Sequence, residues 1–103
     1  MLKKKLGVLL STPPDNKNLG TVISLIKEAV LQEITVYLYF IDDGVLNIGL
    51  PEINALVDSG VHLFACAYGA GRRGVAQNDK VVFAGLVVLA DIIKGCDKFL
   101  SFD

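Results

Sequence analysis

Several residue types that build functional sites are scarce in this sequence. Among its 103 residues are two cysteines, one histidine and no tryptophan. Two cysteines are too few for a disulfide-rich scaffold or a structural zinc site. The single histidine, His62, precedes Cys66 by four residues, about 13 Å along a strand, so it cannot serve as the base of a cysteine–histidine pair. We expect reduced thiols in a reducing compartment, no metal site and no bound cofactor.

Charge of one sign and long apolar runs are also missing. Ten Lys and Arg residues are offset by eleven Asp and Glu residues, which gives a net charge of −1 and no electrostatic footprint for nucleic acid. The longest strongly apolar run, Val81–Ala90, has ten residues, whereas a membrane span needs about 20. Leu6–Leu10, after the basic start, is too short for the core of a signal peptide. The sequence predicts a soluble, cytoplasmic protein that binds neither nucleic acid nor membrane directly.

Apolar residues are abundant for so short a chain. They make up 52% of the sequence, and the mean hydropathy is +0.53. A chain of this length is a single domain, 1–103, and buries only a modest fraction of its surface. Part of the apolar surplus is therefore expected between subunits.

Predicted strands and helices alternate along the chain. Apolar or β-branched runs predict strands at 4–11, 34–40, 61–66 and 97–102, and helices are predicted from Leu19, from Pro51 and over about 80–94. Asn18 is placed to cap the first helix. This alternation requires crossover connections, so we predict a three-layer α/β/α sandwich with a mainly parallel sheet of four to five strands. The last helix is apolar almost all the way round, which makes it the first candidate for a subunit interface.

In a parallel sheet, ligands bind beyond the carboxyl ends of the strands. Three segments follow strand ends here, and they supply the edge of the predicted site: Ser11-Thr12, Asp42-Asp43-Gly44 and Cys66-Ala67-Tyr68.

The segment CAYGAGRRG after the third strand contains G-x-G-x-x-G at Gly69, Gly71 and Gly74. The dinucleotide fingerprint belongs to the first strand–helix unit, with an acidic residue about 20 positions later. This motif follows the third strand and has Arg72 and Arg73 at its x-x positions. We interpret the glycines as a flexible turn and keep a nucleotide or flavin site as a less favoured alternative.

Cys66 itself is the stronger candidate. Nearby cations and backbone N–H groups stabilise a thiolate, the reactive form of cysteine. The predicted anion-stabilising residues around it are Tyr68, Gly71, Arg72, Arg73 and Gly74. The alternative is an inert buried cysteine, as we expect for Cys96 at the opposite edge of the sheet.

Three blocks resemble the DsrE/TusD-like (DsrE/DsrF-like) sulfur-relay family in order and spacing: Tyr39–Val45, Cys66–Gly74 and Asp97–Phe102. The resemblance covers nearly the whole chain and implies a single DsrE-like domain with a flavodoxin-like fold.

The resemblance also implies a function. By this resemblance the chain is expected to be a cytoplasmic persulfide carrier, a possible sulfurtransferase. It would accept sulfane sulfur on Cys66 and pass it to a small, TusA-like sulfur-carrier protein. It implies a homo-trimer or hexamer, or a hetero-oligomer with paralogues. The alternative within the same fold is a non-catalytic assembly or regulatory subunit.

Overall fold

The computed structural model describes residues 3–103; Met1 and Leu2 of the predicted domain lie outside the described residues. Within this range five strands alternate with helices. The strands are β1 (Lys5–Leu10), β2 (Thr35–Phe40), β3 (His62–Cys66), β4 (Val81–Ala84) and β5 (Lys98–Phe102). The α-helices are α1 (Asn18–Leu31), α2 (Pro51–Asp58), α3 (Ala67–Arg72) and α4 (Leu86–Gly95), and a 3₁₀-helix spans Asp42–Asn47.

All strand pairs are parallel, and the strand order is β4-β3-β2-β1-β5. The first four strands therefore add in sequence toward one side, and the chain then crosses the whole sheet to place β5 beside β1. Helices lie on both faces, so the predicted three-layer α/β/α architecture is confirmed. Because every strand points the same way, the carboxyl ends of all strands meet at one edge.

Alternate side chains of the strands form two cores of unequal size. The larger core packs the sheet against α1 and α2, and its buried members include Val8, Leu10, Val22, Ile26, Leu38, Phe40, Ile53 and Leu56. The smaller core, under α4, contains Tyr39, Cys66 and Ile92, with Phe64, Val88 and Phe99 packed against it. Two helices cover one face, but α4 is the main cover of the other.

The single helix predicted over about 80–94 is wrong. Val81–Ala84 pairs with β3 as strand β4, and α4 begins only at Leu86. Gly85 separates them with extended backbone angles, φ −85° and ψ −178°. A continuous apolar run does not distinguish a strand followed by a helix from one longer helix, whereas the β-branched and aromatic residues Val81–Phe83 fit an edge of the sheet.

The expected burial of the last helix on every side is also wrong. Ile92 is the one buried residue of this helix, whereas Leu86, Val87 and Ile93 are 59%, 76% and 47% exposed. The helix therefore buries one side against the sheet and leaves an apolar side uncovered within the single chain.

Asn18 does not cap α1 as predicted. The helix begins at Asn18 itself, and Lys17 occupies the cap position without a side-chain hydrogen bond. The Asn18 amide donates instead to Thr12 Oγ1 at 3.3 Å and to the Asp103 carbonyl at 3.2 Å. The Asn18 side chain thus links the segments that follow β1 and β5, and it does not cap the helix. Pro51 opens α2, as predicted.

Across residues 3–103, none of the helices combines the length and the apolarity that crossing a membrane requires.

Candidate functional site

Cys66 lies at the carboxyl edge of the sheet, where β3 passes directly into α3. Its sulfur borders an open pocket of about 530 Å³. The pocket is lined by Ile41, Asp42, Cys66, Tyr68, Gly69, Arg72, Arg73 and Leu86. Segments that follow β2, β3 and β4 all contribute to it, which is the arrangement expected of a ligand site in a parallel sheet.

The Cys66 side chain caps the first turn of α3. The backbone N–H of Gly69 donates a hydrogen bond to Sγ at 3.4 Å. The residue lines the pocket but is only 9% exposed, so most of its side chain is enclosed by the protein. A position at the start of a helix, with a backbone N–H directed at the sulfur, is typical of reactive cysteines.

The glycine-rich segment is not the flexible turn that we predicted. Gly69 and Gly71 lie inside α3, and of the three fingerprint glycines only Gly74, after the helix, has a positive φ, 66°. A Cβ added at Gly71 would meet no atom within 4 Å. Neither helical glycine therefore serves a backbone conformation or a close approach that only glycine permits.

The two arginines reach the pocket in different ways. Arg73 Nε donates to Asp43 Oδ1 at 2.9 Å, and its Nη1 donates to the Gly69 carbonyl at 3.3 Å. Arg72 donates from Nη1 to the Tyr68 hydroxyl at 3.3 Å, and its guanidinium lies 5.8 Å from the Tyr68 ring centre. In the described part of the chain neither guanidinium donates a hydrogen bond to the Cys66 sulfur. The positive charge of Arg73 is matched by Asp43, whereas that of Arg72 faces an aromatic side chain.

The remaining predicted residues lie around the pocket rather than in its lining. Asp43 reaches it through Arg73, and Gly44 is buried behind it in the 3₁₀-helix. Ser11 and Thr12 stand farther along the same edge, where Ser11 Oγ donates to Asp103 Oδ1 at 2.8 Å. Gly71 and Gly74 belong to α3 and to the turn after it, and neither lines the pocket.

Tyr39 is a member of the site that the sequence reasoning missed. Its side chain is fully buried next to Cys66 in the smaller core. Burial is the largest cause that raises the pKa of Tyr39 from 10.0 to about 12, and the neighbouring Cys66 sulfur contributes in the same direction through its negative charge and its capacity to accept a hydrogen bond. Tyr39 pairs with Phe64 between β2 and β3, so strand parity places it on the Cys66 face. The alternation of side chains along β2 and β3 would therefore identify Tyr39 from the sequence, provided that these two strands are known to be neighbours.

Cys96 lies far from this pocket, at the amino edge of the sheet. It borders a different, smaller pocket together with Lys5 and Tyr37. Burial raises the pKa of the Cys96 thiol; Lys5 lowers that pKa and Asp97 raises it, each by less than burial does. His62 stacks on Tyr37 with ring centres 4.9 Å apart, away from Cys66.

Comparison with known proteins agrees with this architecture. No curated protein matches the chain in a sequence search. Among solved structures, YchN from E. coli superimposes with a TM-score of 0.81 at 21% identity, over 98% of this chain and 100% of that one. A conserved protein of unknown function from Bacteroides thetaiotaomicron superimposes with a TM-score of 0.82 at 19% identity, over 96% of this chain and 95% of that one.

At these identities the superpositions establish the fold alone. The sequence match is more specific, because the pattern of the DsrE/DsrF-like family, a family associated with sulfur relay, fits residues 4–102. That range includes every strand, the Cys66 pocket and both arginines. The chain therefore belongs to the DsrE/DsrF-like family.

Proposed function

We propose that this protein is a sulfur-relay protein that holds sulfane sulfur as a persulfide on Cys66 and passes it to the thiol of a small sulfur-carrier protein. One observation carries the proposal: the Cys66 sulfur accepts a hydrogen bond from the Gly69 N–H, and Cys66 lines an open pocket together with two arginines. Family membership supports the same chemistry. The cytoplasm is the compartment we propose, since two cysteines at opposite edges of the sheet cannot pair and suit a reducing environment.

The chemistry is thiol exchange without net oxidation or reduction. The Cys66 thiolate attacks the outer sulfur of a donor persulfide, a new S–S bond forms on Cys66, and the donor's S–S bond breaks. The donor leaves as a thiolate and takes up a proton from solvent. In the second half, an acceptor thiolate attacks the outer sulfur on Cys66, and Cys66 leaves as a thiolate. One sulfur atom thereby passes from the donor to the acceptor through Cys66.

Both intermediates of Cys66, the thiolate and the persulfide, are anions at their terminal sulfur. The Gly69 N–H is placed to support the thiolate. Asp43 already neutralises Arg73, so Arg72 supplies the uncompensated positive charge that attracts an anionic donor. Tyr68, which is 72% exposed, holds Arg72 at the pocket rim and offers an aromatic contact to a docking protein.

We further propose that the protein assembles through the uncovered side of α4 as a homo-trimer or hexamer. A hetero-oligomer with paralogues would bury the same surface. Leu86 and Val87 on this helix are largely exposed in the single chain, and Leu86 also lines the Cys66 pocket. Assembly here would place a subunit boundary beside the reactive sulfur.

Intact-mass measurement after treatment with a persulfide donor tests the proposal. We expect the mass of one sulfur atom on the wild type and on Cys96→Ser, and no added sulfur on Cys66→Ser. Arg72→Gln should load several-fold more slowly from an anionic donor and normally from a neutral one, since it removes charge and not the thiol. Equal loading of Cys66→Ser and wild type would refute the proposal. A wild type that assembles but takes up no sulfur would be a structural subunit instead.

A further inference from the structure

The Tyr39 hydroxyl is fully buried, yet it makes only long hydrogen bonds to two competing acceptors. It lies 3.3 Å from the Ala84 carbonyl oxygen and 3.4 Å from the Gly85 carbonyl oxygen. Both distances exceed the roughly 2.5–3.0 Å of a good O–H···O bond, and one hydroxyl proton cannot fully satisfy both acceptors. A buried tyrosine usually has one well-formed partner. The hydroxyl is therefore held loosely by the carbonyls at the end of β4.

Cys66 lies beside this hydroxyl because of strand pairing. In the ladder between β3 and β4, Cys66 is the direct partner of Ala84, whose carbonyl accepts from Tyr39. Tyr39 and Cys66 belong to the same buried cluster, and Cys66 is near enough to contribute to the raised pKa of Tyr39. The phenol thus has two weak carbonyl acceptors and, in the same cluster, a sulfur atom that gains negative charge when it ionises.

We propose that the Tyr39 O–H turns from the Ala84 and Gly85 carbonyls to Cys66 Sγ when that sulfur becomes an anion, and thereby stabilises the reactive thiolate. Its use in sulfur relay rests on the function proposed above, but the hydrogen bond itself does not. A charge-assisted bond to sulfur replaces two long contacts to neutral oxygens, which is a net gain for the ionised state. Together with the Gly69 N–H, it gives the sulfur one backbone and one side-chain donor.

Tyr39 acts in this arrangement as a donor and never as a base. Its pKa of about 12 keeps the phenol protonated at neutral pH, so the thiol proton leaves to solvent through the open pocket. The other titratable or charged groups that line this pocket are Asp42, Tyr68, Arg72 and Arg73, with Asp43 paired to Arg73. From α4 only the apolar Leu86 reaches it. Tyr39 belongs to the buried cluster that contains Cys66 and does not line the pocket.

Removing one oxygen atom tests this role. In a Cys96→Ser background, the rate of alkylation of Cys66 is measured against pH for Tyr39→Phe and for the matched control Tyr37→Phe, which lies two residues earlier on the same strand face. We expect Tyr39→Phe to slow alkylation at pH 7 by about three- to tenfold and to move the pH–rate midpoint upward, because the thiolate loses a donor. The Tyr37→Phe profile should match the wild type. An unchanged profile in a folded Tyr39→Phe protein would overturn the proposal.

A spectroscopic measurement on the unmodified side chain covers the case in which Tyr39→Phe does not fold. With tyrosines labelled by ¹³C at Cζ and assigned through Tyr37→Phe and Tyr68→Phe, the Tyr39 signal should move as Cys66 ionises in the wild type. It should stay constant over the same pH range in Cys66→Ser. A signal that moves in neither protein, or equally in both, refutes the hydrogen bond. No persulfide enters either experiment, so failed sulfur loading with a positive result here would overturn the relay alone.

Discussion

Gly44 lies directly against the carbonyl group of Leu10, so that a Cβ at Gly44 would come within 1.9 Å of the Leu10 oxygen. This contact presses the 3₁₀-helix after β2 onto the end of β1. Asn47 holds the same segment from inside, since its buried amide donates to the Thr12 and Gly44 carbonyls at 2.9 Å each. Asp43, and through it Arg73, is therefore carried on a rigidly packed turn.

Replacing Gly44 should damage the fold and the site together. We expect Gly44→Ala to lower the free energy of unfolding by about 3 kcal/mol or more, because the clash is with backbone and cannot be relieved by a side-chain rotation. Urea denaturation measures the change.

Gly20 provides a matched control for this substitution. It lies exposed in the first turn of α1, and a Cβ there meets no atom within 4 Å. Gly20→Ala should raise the free energy of unfolding slightly, by up to about 0.5 kcal/mol, because alanine has the better helix propensity and loses less backbone entropy on folding. Similar stability of the two variants would show that the Gly44 segment is not packed as described.

The two cysteines should react in the reverse order of their exposure. Cys66 is buried and Cys96 is half-buried, so access alone favours alkylation of Cys96. Burial raises the pKa of Cys96 and reduces its thiolate fraction, whereas Cys66 receives the Gly69 N–H. We expect peptide mapping after limited iodoacetamide treatment at pH 7 to find Cys66 labelled several-fold faster. Faster labelling of Cys96 would contradict an activated Cys66.

Tyr39 should make stability fall at high pH. Its pKa is about 12 in the folded protein and 10.0 when unperturbed, so the unfolded chain releases this proton first. The contribution of the protonated phenol to folding is complete below pH 10 and is lost as pH rises from about 10 toward about 12. The difference in unfolding free energy between wild type and Tyr39→Phe should therefore shrink over this interval. In Tyr37→Phe, which retains Tyr39, the wild-type decline should persist; a constant difference for Tyr39→Phe would disprove the assignment.

A charge on the uncovered side of α4 should disrupt assembly. Val87 is 76% exposed in the single chain, and Leu31, at the end of α1 on the other side of the sheet, is 78% exposed. We expect Val87→Asp to sediment as a smaller species than the wild type, because a buried unpaired carboxylate disfavours the interface. Leu31→Asp should sediment like the wild type. A monomeric wild type, or equal effects of the two variants, would contradict an α4 interface.

Four strands were predictable from the sequence because apolar runs were bounded by turn residues, as Val61–Cys66 is by Ser59-Gly60. β4 was not, since Val81–Ala90 is uniformly apolar and Gly85 alone marks the boundary. The helix at Ala67–Arg72 could not be predicted for a different reason. Two glycines in six residues argue against a helix, yet Cys66 caps it and Arg73 ties its end to Asp43. Tertiary contacts outweighed local propensity there.

The candidate site, like the fold, was predictable from the sequence only in part. Cys66, Tyr68, Arg72 and Arg73 could be placed at one pocket because strand ends meet at one edge of a parallel sheet. The ion pair between Arg73 and Asp43 and the position of Tyr39 depend on which strands are neighbours. Strand order is set by packing over the whole chain, so no short motif encodes it.

Sulfur transfer through Cys66 is tested most directly by a load-and-chase experiment followed by intact mass. Wild-type protein is loaded from a persulfide donor, freed of it, and mixed with a small sulfur-carrier protein that has a single reactive thiol. We predict that the protein loses the mass of one sulfur atom while the acceptor gains it, and that Cys66→Ser transfers nothing. Sulfur that never binds, or that stays on the protein while the acceptor mass is unchanged, would contradict the account.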